Sequence, residues 1–166
     1  VYGPHWYAGP DFKAQHEIYA PVPQNRDRYA DHFFAWVHDF DADGREDIFV
    51  VGFPGTPAHV YENPGPDGLD RHWTKHQVFN WVSNESPHFV GRVGDAGPEL
   101  VCTRGGSFGY ATIDRADPFG DWTFYKISPR MASERFGHGL GVGDIDGDGR
   151  KDVIHKNGWF QQPESL

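Results

Sequence analysis

Two short stretches of this sequence concentrate the side chains best suited to chemistry. Asp39-Phe-Asp-Ala-Asp-Gly-Arg-Glu-Asp47 and Asp144-Ile-Asp-Gly-Asp-Gly-Arg-Lys-Asp152 carry carboxylates at the first, third, fifth and ninth positions. Alternating aspartates turn three carboxylates to the inside of one tight turn. A glycine at the sixth position permits the sharp bend, and the seventh residue can lend its backbone carbonyl. Hard oxygens in that number suit Ca2+, which takes about six to eight oxygen ligands in a flexible geometry. Left alone, four carboxylates this close repel one another; a divalent ion removes that cost. The expected ligands are the side chains of Asp39, Asp41, Asp43 and Asp47 with the Arg45 carbonyl, and those of Asp144, Asp146, Asp148 and Asp152 with the Arg150 carbonyl. An EF-hand is excluded on two counts. Its twelfth position should be a bidentate glutamate but is Val50 or His155, and Ile-Phe-Val-Val and Val-Ile-His-Lys continue each loop as strand, not helix.

The elements that must hold these loops follow from an internal repeat. Midway between the loops, Val93-Gly-Asp-Ala-Gly-Pro-Glu99 is a worn copy that keeps carboxylates only at Asp95 and Glu99, so no calcium is expected there. A second marker, Val60-Tyr-Glu-Asn-Pro64, echoes Trp6-Tyr-Ala-Gly-Pro10 and Trp159-Phe-Gln-Gln-Pro163. A third, Trp73-Thr-Lys-His-Gln-Val-Phe79, is echoed by Trp122-Thr-Phe-Tyr-Lys-Ile-Ser128 and Lys13-Ala-Gln-His-Glu-Ile-Tyr19. The period is on the order of 50 residues, within the range of propeller blades. Four strands are predicted in one unit at 33–38, 48–53, 59–62 and 74–79, and four in the next at 88–93, 99–103, 108–113 and 123–127. Gly, Pro, Asn and Asp clusters separate them, and no segment holds a helical period with start and stop signals.

The expected fold is therefore all-β, with about three four-stranded antiparallel blades. They divide into a half-blade at 1–20, blades at 29–79 and 86–128, and a partial blade at 136–166. Propellers usually need about four to eight blades. The expectation is a piece of a longer propeller, with a ring closed by homo-oligomerisation as the alternative. Composition agrees: 16% aromatic residues, 21 Gly and 13 Pro suit wide side chains on sheet faces joined by tight turns.

Other partners are constrained by charge. The net charge is −9 with no basic stripe, which sets nucleic acid aside. No apolar run reaches the roughly 18 residues of a membrane span, and no signal peptide opens the sequence. The single Cys102, in the apolar run Glu99-Leu-Val-Cys102, reads as a buried inert thiol and rules out an intrachain disulfide.

A search for catalytic groups starts from the 10 histidines. His5, His32, His38, His88, His138 and His155 fall at or near the proposed inner strands, while His16 and His76 occupy equivalent places in an outer strand. Strand ends on one face of a propeller border its central channel, where ligands sit. His38, just ahead of the first loop, and His138, between two glycines, are the leading candidates, with His88, Arg92, Arg104 and Tyr110 beside them. Such a set could polarise a uronate or keto-sugar and move a proton from the carbon beside its carbonyl. Taken singly, each of these side chains is better accounted for as a hydrogen-bonded residue on a polar strand face. No zinc spacing, nucleophile elbow or phosphate loop occurs. Among the 6 tryptophans, Trp81 is read as lying in a connection between units, where an exposed indole could stack on a sugar or plug an inter-blade groove.

The two aspartate loops, with Phe136-Gly137 ahead of Gly143-Asp144, resemble the FG-GAP/VCBS repeat family of calcium-binding β-propellers. The likeness runs through nearly the whole chain in repeat-sized steps and is weakest in the middle unit. It implies a seven-bladed parent, two Ca2+ sites, and a secreted, periplasmic or cell-surface location. It also implies two functional classes, a binding or adhesion module for a glycan or another protein, and a lyase or dehydratase acting on sugars.

Overall fold

A computed structural model describes residues 3–23, 25–91 and 97–164. Among the described residues every regular element except one 3-10 turn at Pro66–Gly68 is a strand, and these strands form four antiparallel sheets that follow one another along the chain. The first sheet pairs β1 (His5–Tyr7) with β2 (Gln15–Glu17). The second is a meander of β3 (Phe34–His38), β4 (Asp47–Val51), β5 (Thr56–Glu62) and β6 (Thr74–Val82). The third repeats it with β7 (His88–Gly91), β8 (Pro98–Arg104), β9 (Ser107–Thr112) and β10 (Thr123–Lys126). The fourth holds β11 (Gly141–Gly143), β12 (Asp152–His155) and β13 (Gly158–Phe160).

Strand alternation explains how the sheets pack. Successive side chains of a strand point to opposite faces. On β4, Phe49 and Val51 join an apolar cluster with Leu100, Cys102 and Trp122 of the third sheet's segment, while Ile48 and Val50 join Ile18 and Trp73 on the other side. On β8, Leu100 and Cys102 face the second sheet's cluster, and Val101 turns to Leu140 and Val153. Both faces are buried, so β4 and β8 read as continuous apolar runs. Aromatic rings fill the largest interface, with Trp122 4.8 Å from Phe49 and 5.7 Å from Phe40 between ring centres.

The strands match the sequence reading to within a few residues, with one consequential exception. β6 runs on to Val82, paired with Thr56 across a bulge. Trp81 therefore sits in a strand and not in a connection, because β5 reaches back to Thr56, which pairs with Val82. Cys102 is fully buried as expected, and burial pushes its thiol well above the usual range. The worn middle loop falls mostly at 92–96, outside the described residues, together with the candidates Arg92 and Asp95; Glu99 lies within β8. Among the described residues no helix is long and apolar enough to cross a membrane.

Candidate functional site

The two aspartate loops turn in closely similar ways. Asp39 opens the first loop by accepting from the amides of Asp43 at 3.1 Å and Gly44 at 2.9 Å, and Asp144 accepts from Gly147 at 2.7 Å and Gly149 at 3.0 Å. The fifth aspartate takes the amide two residues on, Arg45 to Asp43 at 2.9 Å and Arg150 to Asp148 at 2.8 Å. Each of these bonds turns a carboxylate inward and folds the chain over it, which is why aspartate is needed where a longer glutamate would not close the turn. Gly44 and Gly149 lie in the left-handed region at φ 85° and 84°, where a Cβ would be strained.

The ninth aspartates do a second job. Asp47 is 2% exposed and Asp152 is fully buried, each at the start of its strand. Asp47 accepts from the amides of Phe40 at 3.2 Å and Asn63 at 2.7 Å; Asp152 accepts from Ile145 at 2.9 Å and Gln162 at 3.0 Å. Each carboxylate thus ties its loop to the segment after the third strand of its sheet. Arginine reinforces the tie: the side chains of Arg45 and Arg150 pair with Asp43 and Asp148 and donate to the carbonyls of Asn63 and Gln162. Burial raises Asp47 to about 6, against the lowering effect of its two amide donors. A cation in the loop would pull it back down.

Carboxylate oxygens of Asp39, Asp41 and Asp43 lie within 4.8 Å of one another, as do those of Asp144, Asp146 and Asp152. Ligands about 2.3–2.6 Å from one ion stand up to about 5 Å apart, so the spacing accommodates a calcium-sized cation. An all-oxygen donor set of this kind would suit a hard ion. In the second loop the Gln161 side-chain amide donates to Asp146 at 2.5 Å, a bond an incoming ion would have to displace.

The five catalytic candidates among the described residues do not gather at one place. His38 lines a cleft with Trp36 and Phe89 and stands edge-on to Phe40. The His88 ring is 3.2 Å from the Leu140 carbonyl. Arg104 lies over the indole of Trp81 at 4.3 Å, and Tyr110 stacks on Tyr125 in the groove between the third and fourth sheets. His138, exposed, pairs with Glu85 at 2.7 Å. It does share a polar cavity of about 230 Å³ with His155, Lys156, Asn84 and Thr103. The Asn84 Nδ2 and Thr103 Oγ1 atoms are buried there without a hydrogen-bond partner.

One polar group was not anticipated as a unit. The Tyr19 hydroxyl donates to Asp31 at 2.6 Å and lies 3.0 Å from His32 Nε2, with its ring stacked on Tyr61. Burial and then the Asp31 carboxylate push the Tyr19 phenol far above its ordinary value. Burial lowers His32, against the opposing pull of Asp31. Asp31 and His32 are adjacent in sequence, but nothing in their spacing from Tyr19 announces the contact.

Comparison with family models, with curated proteins and with solved structures finds no match to this chain.

Proposed function

We propose that this chain is a calcium-stabilised β-propeller segment of an exported protein, serving as a binding or adhesion module with a glycan as its ligand. The observation that carries the reading is the pair of aspartate loops. Two segments roughly a hundred residues apart fold their carboxylates inward through the same amide bonds and anchor them to the same point of their sheets. The ions are structural in this reading, since each loop joins the first two strands of its sheet and none of its aspartates lines the polar cavity at His138. The glycan contact falls to Trp81, 37% exposed with the Arg104 guanidinium over one face of its indole, so that a sugar ring would meet the aromatic surface left open. Thermal melting in calcium and in chelator tests the metal, and titration with oligosaccharides against Trp81→Ala tests the ligand. An unchanged melting temperature refutes the first; equal binding by the variant refutes the second.

A second reading, a lyase or dehydratase on uronates or keto-sugars, is favoured by the cavity that unites His138, His155 and Lys156. Proton abstraction beside a carboxylate needs a base and a cation at close quarters, and this cavity offers both. Release of an unsaturated product, followed by ultraviolet absorbance and abolished by His155→Ala, is its test.

A further inference from the structure

The sheets share one packing rule that is completed at two interfaces and left open at the third. Between the first and second sheets, Trp73 precedes β6, packs with Ile18, Ile48, Val50 and Tyr61, and donates its backbone N–H to the Ile18 carbonyl at 2.8 Å. Between the second and third, Trp122 precedes β10, packs with Phe40 and Phe49, and donates its N–H to the Val78 carbonyl at 2.7 Å. Ile18 and Val78 hold the same place in the repeat, six positions into 13–19 and 73–79. Ile127 is the third member, six positions into 122–128. It lines a groove of about 940 Å³ between the third and fourth sheets, with Val101, Val153 and Phe160. On the fourth sheet β13 is the outermost strand, and among the described residues no strand pairs with its free edge.

We propose that this groove and the edge of β13 form a docking site for one extended peptide strand headed by tryptophan, of the pattern Trp-Thr-x-x-x-Val/Ile found at 73–78 and 122–127. The register can be transferred residue by residue. Asp47 accepts from the Asn63 amide as Asp152 does from Gln162, and Ile48 pairs with Tyr61 as Val153 pairs with Phe160. Glu62 and Tyr61 pair with Thr74 and Lys75. The incoming threonine therefore lies opposite Gln161 and the next residue opposite Phe160. The indole enters the groove over Phe160 and Val153, and its backbone N–H donates to the Ile127 carbonyl.

The site is continuous with two interfaces already filled by the same kind of segment. Lys126 and Lys151 line it together with Glu99, and in the segment at 120–129 Asp121 directly precedes Trp122 and can face the two lysines. Main-chain pairing along a sheet edge supplies affinity, and the indole in its groove supplies specificity. The proposal rests on the sheet repeat and not on metal in the loops, so a chelator-insensitive protein leaves it standing.

The probe is a synthetic peptide copying residues 120–129, compared with the same peptide carrying Trp122→Ala. A second protein, the whole chain with that copy appended through a Gly-Ser linker, raises the effective concentration. The expected result is saturable one-to-one binding, new amide-exchange protection across 158–162, and about tenfold weaker binding of the alanine peptide. The appended copy should raise the melting temperature, and its alanine version should not. Equal binding of the two peptides, protection elsewhere, or an unmoved melting temperature overturns the proposal. So does protection of 158–162 by self-association without peptide, which would make a second copy of the chain the occupant.

Discussion

The first and last aspartate loops share a backbone but differ in how each reaches it. At the fourth position the first loop has Ala42 at φ 60°, where the last has Gly147 at φ 79°. The first loop thus holds an L side chain in the left-handed region, a conformation that costs roughly 1–2 kcal/mol. The carboxylate groupings differ as well. The first gathers positions one, three and five, whereas the last gathers one, three and nine while Gln161 occupies Asp146. The lesson is that nine residues settle the turn, while the segment after the third strand of the sheet bears on which oxygens are left for an ion.

The comparison can be broken most severely at its buried anchors. Asp47→Ala and Asp152→Ala should each cost roughly 2–4 kcal/mol in chemical denaturation, since each strands two backbone amides without their acceptor. Equal losses would mean that the two loops are equivalent as structural ties. Next in size is the metal. With free calcium about a hundredfold above Kd, linkage gives roughly 2.7 kcal/mol per site, read as the shift in melting temperature between calcium and chelator. Asp41→Ala and Asp146→Ala should each remove one site's share, and a single variant that removes all of it would show that only one loop binds.

Acid titration sharpens the comparison only once a competing group is silenced. His59, on β5, is lowered to about 4, by burial first and then by the Lys75 charge. It stays neutral in the fold while the unfolded chain is protonated below its ordinary value. The stability it contributes is therefore lost as the pH falls from about 6.5 through 4, by about 2 kcal/mol once its partial exposure is allowed for. His59→Gln should flatten stability over that window in urea denaturation, leaving His32, lowered in the same direction by burial, and the raised Asp47 to account for what remains. The smallest effect belongs to the fourth loop position. Ala42→Gly should stabilise, and Gly147→Ala destabilise, by roughly 1 kcal/mol or less, because relief of left-handed strain is partly offset by the entropy of glycine in the unfolded chain.

The eight strands predicted for the two full units were legible because each alternates or runs apolar for a few residues between Gly, Pro, Asn and Asp breaks. The extent of β6 was not. Asn80-Trp-Val-Ser-Asn looks like a connection, and only pairing with β5 across a bulge carries the strand to Val82. Candidate site residues divide along the same line. The loop aspartates bond to amides within a turn, whereas the Arg104–Trp81 contact and the cavity joining Asn84, His138 and His155 depend on which sheets lie side by side.

By itself the sequence determined the two turns, the all-β class and the repeat, for these rest on hydrogen bonds and side-chain alternation spanning a few residues. Tertiary structure decided the rest. It united Tyr19 with Asp31 and His32, parted His38 in one cleft from Tyr110 in another and from Arg104 over Trp81, and left one groove lined by Ile127 and Phe160 beside an open edge. Those outcomes follow from how neighbouring sheets pack, and packing couples residues whose separation along the chain carries no periodic signal.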